Sequence, residues 1–120
     1  ALAKADSENL RDVVRGLDEG LARLGPVVTL QLLALDLELR MPDYPAALSR
    51  LDAITLQATR KEVWLARRGD VLHQAGREAE AKVAWEAALA ALAQLPIERR
   101  DTRAMKTLES RVRESLQAAR

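Results

Sequence analysis

The residues best suited to chemistry are one histidine and two aspartates. His73 is the only histidine, and Asp70 lies three positions before it, so the two side chains would share one face of a helix. With Asp36 they could supply three ligands to a metal ion. The ligand types are not clustered as in ordinary metal sites, so a polar helix face is the favoured interpretation. We expect no metal and no cofactor.

No pattern for nucleophilic catalysis accompanies these residues. The chain has no cysteine, and its four serines lie in no glycine-framed elbow. Its five glycines are scattered, so they form no phosphate-binding loop. We therefore expect a protein that is not an enzyme.

Charge and composition narrow the classes of partner. Nineteen basic and eighteen acidic residues give a net charge of +1, which selects neither nucleic acid nor an anionic membrane. From Pro96 onward there are seven basic and four acidic residues, but no aromatic platform accompanies them, and a solvated cap is favoured over a nucleic-acid contact. No apolar run reaches the ~20 residues of a membrane helix. The opening Ala1-Leu2-Ala3 could end a signal-peptide region, but in so alanine-rich a chain we expect a cytoplasmic protein rather than an exported one.

The elements that would position these residues are helices. Ala and Leu occupy 43 positions, whereas Ile and Val occupy ten. Breaks at Gly25-Pro26, Met41-Pro42-Asp43, Ala58-Thr59-Arg60, Ala75-Gly76 and Leu95-Pro96 divide the chain into six predicted helices. The connections are short, so neighbouring helices should run antiparallel.

Several helix ends and faces can be predicted individually. The first helix should open near Asp6 or Ser7, and the second, 27–40, should be the most buried because it is apolar over most of its circumference. Asp43 should cap the third helix. A capping box over 59–62 should open the fourth, and Gly76 should end it. The last helix, from about Thr102, should bury a stripe of Met105, Leu108, Val112 and Leu116.

Two windows of 34 residues, 28–61 and 62–95, repeat the same helical pattern. The second window carries Trp64-Leu65, Gly69, Leu72 and Gly76, followed by Ala81, Trp85 and Ala88. This pattern resembles the tetratricopeptide repeat. The first window is looser, with Leu35 at the place of Gly69, but its turn Pro42-Asp43-Tyr44 is typical of the family. The segment of about residues 1–25 resembles half a repeat. The segment of about residues 102–119 resembles the helix that caps such arrays.

The resemblance implies an all-α, right-handed superhelix of stacked hairpins that binds a peptide or protein segment on its concave face. The first helices of the repeats would line that face. Asp36 and Asp70 both fall at the ninth place of their repeats, which argues against capture of a terminal carboxylate and suits a basic residue of the partner. The implied partner-binding residues are Leu32, Asp36, Leu39, Arg40, Val63, Arg67, Asp70, His73 and Gln74.

Two other functions remain open at this point. The chain could be a structural or oligomerisation segment, or the end of a longer array, because the half repeat would leave an apolar N-terminal edge for a second copy. RNA binding through the related 35-residue repeats is disfavoured by the 34-residue period and the modest charge.

Overall fold

The chain folds into helices throughout the part that the structure describes. The computed structural model describes the backbone of residues 2–24 and 28–119 and the side chains of residues 8–22 and 29–119. Its helices are α1 (Leu2–Leu24), α2 (Val28–Arg40), α3 (Tyr44–Gln57), α4 (Lys61–Gln74), α5 (Glu78–Ala93), α6 (Ile97–Arg100) and α7 (Arg103–Ala118). No strand occurs in these ranges, so the predicted all-α class is confirmed. The predicted break at Gly25-Pro26 lies outside the described residues.

The structure corrects the predicted number and bounds of the helices. Helix α1 begins at Leu2, before the predicted start near Asp6 or Ser7, since the preceding Ala, Leu and Lys also favour a helix. Six helices were expected, but the described ranges contain a seventh, the single turn α6. Pro96 precedes it with φ −55°, and its carbonyl accepts hydrogen bonds from the amides of Arg99 and Arg100 at 3.0 Å.

Three predicted helix ends are confirmed by their hydrogen bonds. The Asp43 carboxylate accepts a bond from the Ala46 amide at 3.3 Å at the start of α3. The Thr102 hydroxyl accepts one from the Met105 amide at 3.2 Å at the start of α7. Gly76 ends α4 with φ +78°, a left-handed conformation that glycine adopts without a steric penalty. The amides of Gly76 and Arg77 donate to the carbonyls of His73 and Leu72 at 3.0 and 2.9 Å, as in a Schellman motif.

The predicted capping box at the start of α4 is wrong. The helix begins at Lys61, so Arg60 occupies the N-cap position and makes no side-chain capping bond. Thr59 lies one residue too early to reach the amides of the first turn. Glu62, the expected second member of the box, is buried instead.

The described residues divide into two compact units, residues 1–54 and 55–120. In the first unit, α1 packs on α2, and side-chain bonds link both helices to α3. Leu35 and Leu37 of α2 are buried, but Leu32 and Leu33 are 37% and 47% exposed, so the apolar circumference of α2 is covered only in part. The buried apolar residues of this unit include Val14, Ala34, Leu35, Leu37, Ala47, Leu48, Leu51 and Ile54.

The second unit is built around α5. Helix α4 packs on one side of it, α7 packs against it as well, and α6 contacts α7. Met105, Leu108 and Val112 of the predicted α7 stripe are buried, whereas Leu116 is half-buried. The other buried apolar residues of this unit include Ala66, Val71, Leu72, Ala81, Ala84, Trp85, Ala88 and Leu92. None of the described helices is both long and apolar enough to cross a lipid bilayer.

Candidate interaction surfaces

The indole of Trp85 organises the face of α4 that carries Asp70 and His73. Trp85 lies on α5 and is 3% exposed. Its ring lies directly over Gly69 of α4, where a Cβ atom would stand 2.3 Å from two ring atoms. The lack of a side chain at Gly69 therefore lets α4 and α5 approach, and Trp85 fills the space between them. Trp85 is a packing residue and not an exposed platform for a ligand.

Asp70 is held by two partners within the second unit. Its Oδ1 accepts a hydrogen bond from the Trp85 Nε1 at 3.1 Å, and its Oδ2 accepts one from Arg111 of α7 at 3.1 Å. The Asp70 side chain is 31% exposed and that of Arg111 is 54% exposed. Asp70 therefore joins α4, α5 and α7, a structural task that the sequence reasoning did not give it.

His73 contacts the same indole. Its ring lies 5.9 Å from that of Trp85 at a tilt of 44°, and its Nδ1 is 2.7 Å from the Glu78 carboxylate. The predicted shared face of Asp70 and His73 is confirmed, since both contact Trp85 from α4. Among the described residues, no three His, Cys, Asp or Glu side chains are grouped closely enough to hold a metal ion.

The other predicted partner-binding residues lie at the surfaces of their own units. On α2, Leu32, Asp36 and Arg40 are exposed and Leu39 is half-buried. On α4, Arg67 and Gln74 are exposed and Val63 is half-buried. Asp36 and Arg67 each have a polar or electrostatic interaction within the chain. The structure thus places these residues on accessible sides of the two helices, and their role in binding a partner stays a prediction.

The first unit contains a second polar site, which we call the polar cleft. It is a cavity of about 330 Å³ lined by Gln31, Glu38, Ser49 and Arg50, together with Leu21 and two alanines of α3. Gln31 is 9% exposed, and its Oε1 atom is buried without a hydrogen-bond partner among the described residues. Unpartnered buried acceptors are rare in folded proteins. Gln31, which lines the polar cleft, therefore carries a buried amide oxygen that the described residues leave unsatisfied.

Arg50, which also lines the polar cleft, joins three helices. Its Nε donates to Glu38 Oε1, and its Nη2 donates to Glu38 Oε2 at 3.3 Å and to Asp18 Oδ2 at 3.2 Å. The side chains of Glu38 and Arg50 are 5% and 12% exposed, whereas that of Asp18 is 51% exposed. Burial opposes the charge of Arg50, but the bonds to Glu38 and Asp18 outweigh it and raise the Arg50 pKa above its ordinary value.

Sequence reasoning missed the polar cleft, although the 34-residue register contains a signal for it. Gln31 corresponds to Leu65 of the second repeat, Glu38 to Leu72 and Arg50 to Ala84. In the second unit these apolar residues line a groove of about 400 Å³ between α4 and α5. Polar residues at positions where the other repeat is apolar mark the first repeat as different in chemistry.

A comparison with known proteins identifies the family of this chain. A family model described as a tetratricopeptide repeat-like domain matches residues 2–118. Searches of the curated proteins and of the solved structures gave no match. The match confirms the predicted resemblance to the family, whereas the division into two repeats, a half repeat and a capping helix stays a prediction. The chain belongs to the tetratricopeptide repeat-like domain family.

Proposed function

We propose that this helical-repeat domain is a protein-interaction module, in which each unit offers a partner the exposed side of one first helix, α2 in the first unit and α4 in the second. The observation that carries the proposal is Leu32, an apolar side chain that is 37% exposed four residues before the exposed Asp36. Residues four apart share a helix face. An apolar contact beside a carboxylate suits a partner segment with a basic residue next to an apolar one.

The corresponding helix of the second repeat, α4, supplies a matching surface, on which Asp70 is already bonded to Arg111. Val63, Arg67 and Gln74 lie on the same face of α4 as Asp70 by helical spacing. Because Arg111 already bonds Asp70, a basic residue of the partner must displace Arg111 or share the carboxylate with it. We therefore treat the contact at Asp70 as secondary to the one at Asp36, beside which the apolar Leu32 is exposed.

Leu32 and Leu33 provide a matched pair for testing the location of the surface. Both are exposed leucines of α2, but they point about 100° apart around the helix. A photo-reactive phenylalanine analogue is introduced at one position or the other, and the cells that produce the protein are irradiated. We expect protein adducts from position 32 that do not form from position 33. Equal adducts from both positions, or none from position 32, would contradict the assignment to this face.

Removing Arg111 tests the secondary contact. If a basic residue of the partner competes for Asp70, Arg111→Ala should strengthen capture of the proteins found by crosslinking. If Asp70 has only its structural task, capture should be unchanged while the melting temperature falls slightly. Arg113→Ala is the control, because Arg113 is also on α7 but pairs with Glu109.

One observation favours a second candidate function, self-association through the N-terminal edge. Val13 of α1 is 49% exposed, although it lies one residue before the buried Val14. An exposed apolar residue on the half repeat suits a contact with a second copy. Light scattering over a range of concentrations tests this alternative. Val13→Lys should shift a dimer toward monomer, and a wild-type protein that is monomeric at every concentration contradicts it.

A further inference from the structure

We propose that the outer side of α7 is a docking surface for an extended acidic segment of another protein. The surface, which we call the basic face, is an open depression of about 660 Å³ lined by Arg103, Lys106, Thr107, Ser110, Arg111 and Glu114. It lies on a different helix from the proposed partner surfaces of α2 and α4, and it selects the opposite charge. The two proposals can therefore fail separately.

Helical spacing puts the basic face on the side of α7 that points away from the core of its unit. Arg103, Thr107 and Ser110 lie within about 60° of one another around the helix axis. The buried Met105 and Val112 lie about 160–180° from Arg103 around the same axis. All six residues that line the basic face are exposed. The face is therefore accessible to a partner within this unit.

The basic face has an excess of two positive charges, because three basic residues lie beside one glutamate. Two of the basic groups are only partly engaged. Lys106 is 2.8 Å from Asp101, and the two side chains are 65% and 68% exposed. Arg111 donates one bond to Asp70 and is 54% exposed, so other N–H groups of its guanidinium stay available. Exposed pairs of this kind contribute little to stability, so a carboxylate of a partner can share or replace them.

Unpaired arginines extend the positive charge to the start of α7. Arg103 makes no ion pair with any residue that the structure describes, and neither do Arg99 and Arg100 of α6. The Thr102 hydroxyl donates to the Arg99 carbonyl at 3.1 Å, which holds the end of α6 beside the first turn of α7. Three arginines within five positions thus lack an anionic partner. Charge complementarity favours an acidic occupant for this surface.

The spacing of the basic groups fits an extended chain. Along the helix axis, Lys106 is about 4.5 Å and Arg111 about 12 Å from Arg103. Alternate residues of an extended chain point to the same side and are about 6.6 Å apart, so three alternating glutamates span about 13 Å. This length covers the distance from Arg103 to Arg111. The hydroxyls of Thr107 and Ser110 lie between them and can donate to carboxylates or to the carbonyls of the segment.

Titration of the full chain with short peptides, followed by two-dimensional NMR, tests the docking surface. The probes are Glu-Ser-Glu-Ser-Glu and Lys-Ser-Lys-Ser-Lys, both with blocked ends, single-stranded hexathymidylate, and vesicles of equal parts phosphatidylcholine and phosphatidylserine. We expect saturable shifts with the acidic peptide that are confined to residues 99–114 and that weaken as the salt concentration rises. No saturable binding of the acidic peptide, or equally tight binding of any other probe, overturns the proposal.

Matched arginine variants separate the basic face from the general charge of the protein. Arg103→Gln should weaken binding of the acidic peptide about threefold, and adding Lys106→Gln should bring the loss to about tenfold. Arg11→Gln is the control, because Arg11 is an exposed arginine of α1 that also makes no ion pair with the described residues. It removes the same charge and should leave binding unchanged. All these side chains are exposed, so the melting temperature should not change. Equal losses in Arg103→Gln and Arg11→Gln, or no loss in either, overturn the proposal.

Discussion

Arg50 and Glu38 make the sharpest energetic prediction, because the second repeat shows which residues should replace them. Arg50→Ala leaves the Glu38 carboxylate, whose side chain is 5% exposed, without the guanidinium that bonds both of its oxygens. Breaking a buried pair in this way costs about 3–5 kcal/mol. Small domains are stable by only about 5–15 kcal/mol, so this single change should remove a large part of the stability.

The double variant Glu38→Leu with Arg50→Ala should recover most of that loss. It introduces the residues found at Leu72 and Ala84, so neither charge remains buried. Replacing a buried pair by apolar residues is often neutral or stabilising, and the space left by the arginine opens into an existing cleft. Asp18 loses its partner but is half exposed and stays hydrated. We expect the double variant to lie within about 1 kcal/mol of the wild type.

Urea denaturation and thermal melts, both followed by far-UV circular dichroism, measure these differences. For 120 residues the entropy of unfolding is about 0.25 kcal/mol/K, so a loss of about 3–5 kcal/mol lowers the melting temperature by about 12–20 °C if the chain unfolds cooperatively. Asp18→Asn is the control, and its exposed contact should contribute less than about 1 kcal/mol. The two single variants and the double variant form a double-mutant cycle, and the coupling energy between Glu38 and Arg50 from this cycle should be about 3 kcal/mol.

Two results would refute this reasoning. An Arg50→Ala variant within about 0.5 kcal/mol of the wild type would mean that Glu38 does not depend on Arg50. A double variant as unstable as the single one would mean that the two repeats cannot exchange these residues.

The pH dependence of the stability gives a further check. The Arg50 pKa is raised on folding, so its contribution is fully present below the unfolded pKa and is lost only as pH rises through the folded value. Arg50 therefore gives no change of stability across the neutral range.

Three further predictions concern the packing of the second unit and use simple stability assays. Gly69→Ala forces the buried Trp85 ring to move and should cost about 1–3 kcal/mol or more in urea denaturation, whereas Gly16→Ala, at an open helical position, should stabilise by about 1 kcal/mol. Asp70→Ala leaves the indole N–H of Trp85 without its acceptor and should cost about 1–3 kcal/mol, with a change in tryptophan fluorescence; unchanged stability would disprove its structural task. Removal of residues 102–120 exposes the apolar surface that α7 covers and should cause aggregation or a large fall in melting temperature; a monomer with an unchanged melting temperature would rule out the capping role.

The helices could be predicted from the sequence because their signals are local. Asp43 and Gly76 act on backbone groups within a few residues, and the spacing of Met105, Leu108 and Val112 gives the buried side of α7 directly. The short helix α6 was missed because a single turn after a proline has no periodicity. The capping box over 59–62 failed by one residue, a common uncertainty at helix ends.

The candidate site could be predicted only in part because its bonds are not local. The partners of Asp70 lie 15 and 41 positions away, and Arg50 is 12 and 32 positions from Glu38 and Asp18. Periodicity places each residue on a helix face but does not say which side chain lies opposite. Only comparison of the two repeats, position by position, indicates which residues depart from the packing pattern.

That comparison also separates the two aspartates of the proposed binding surface. Gly69 and Trp85 of the second repeat correspond to Leu35 and Leu51 of the first, and both leucines are fully buried. Both repeats thus have buried residues at these two positions, although the residue types differ. The side chain of Leu51 has no N–H to donate, so the side-chain bond from Trp85 to Asp70 has no counterpart from that position. The bond to the Trp85 indole is therefore particular to Asp70, whereas Asp36 has a separate interaction within the chain.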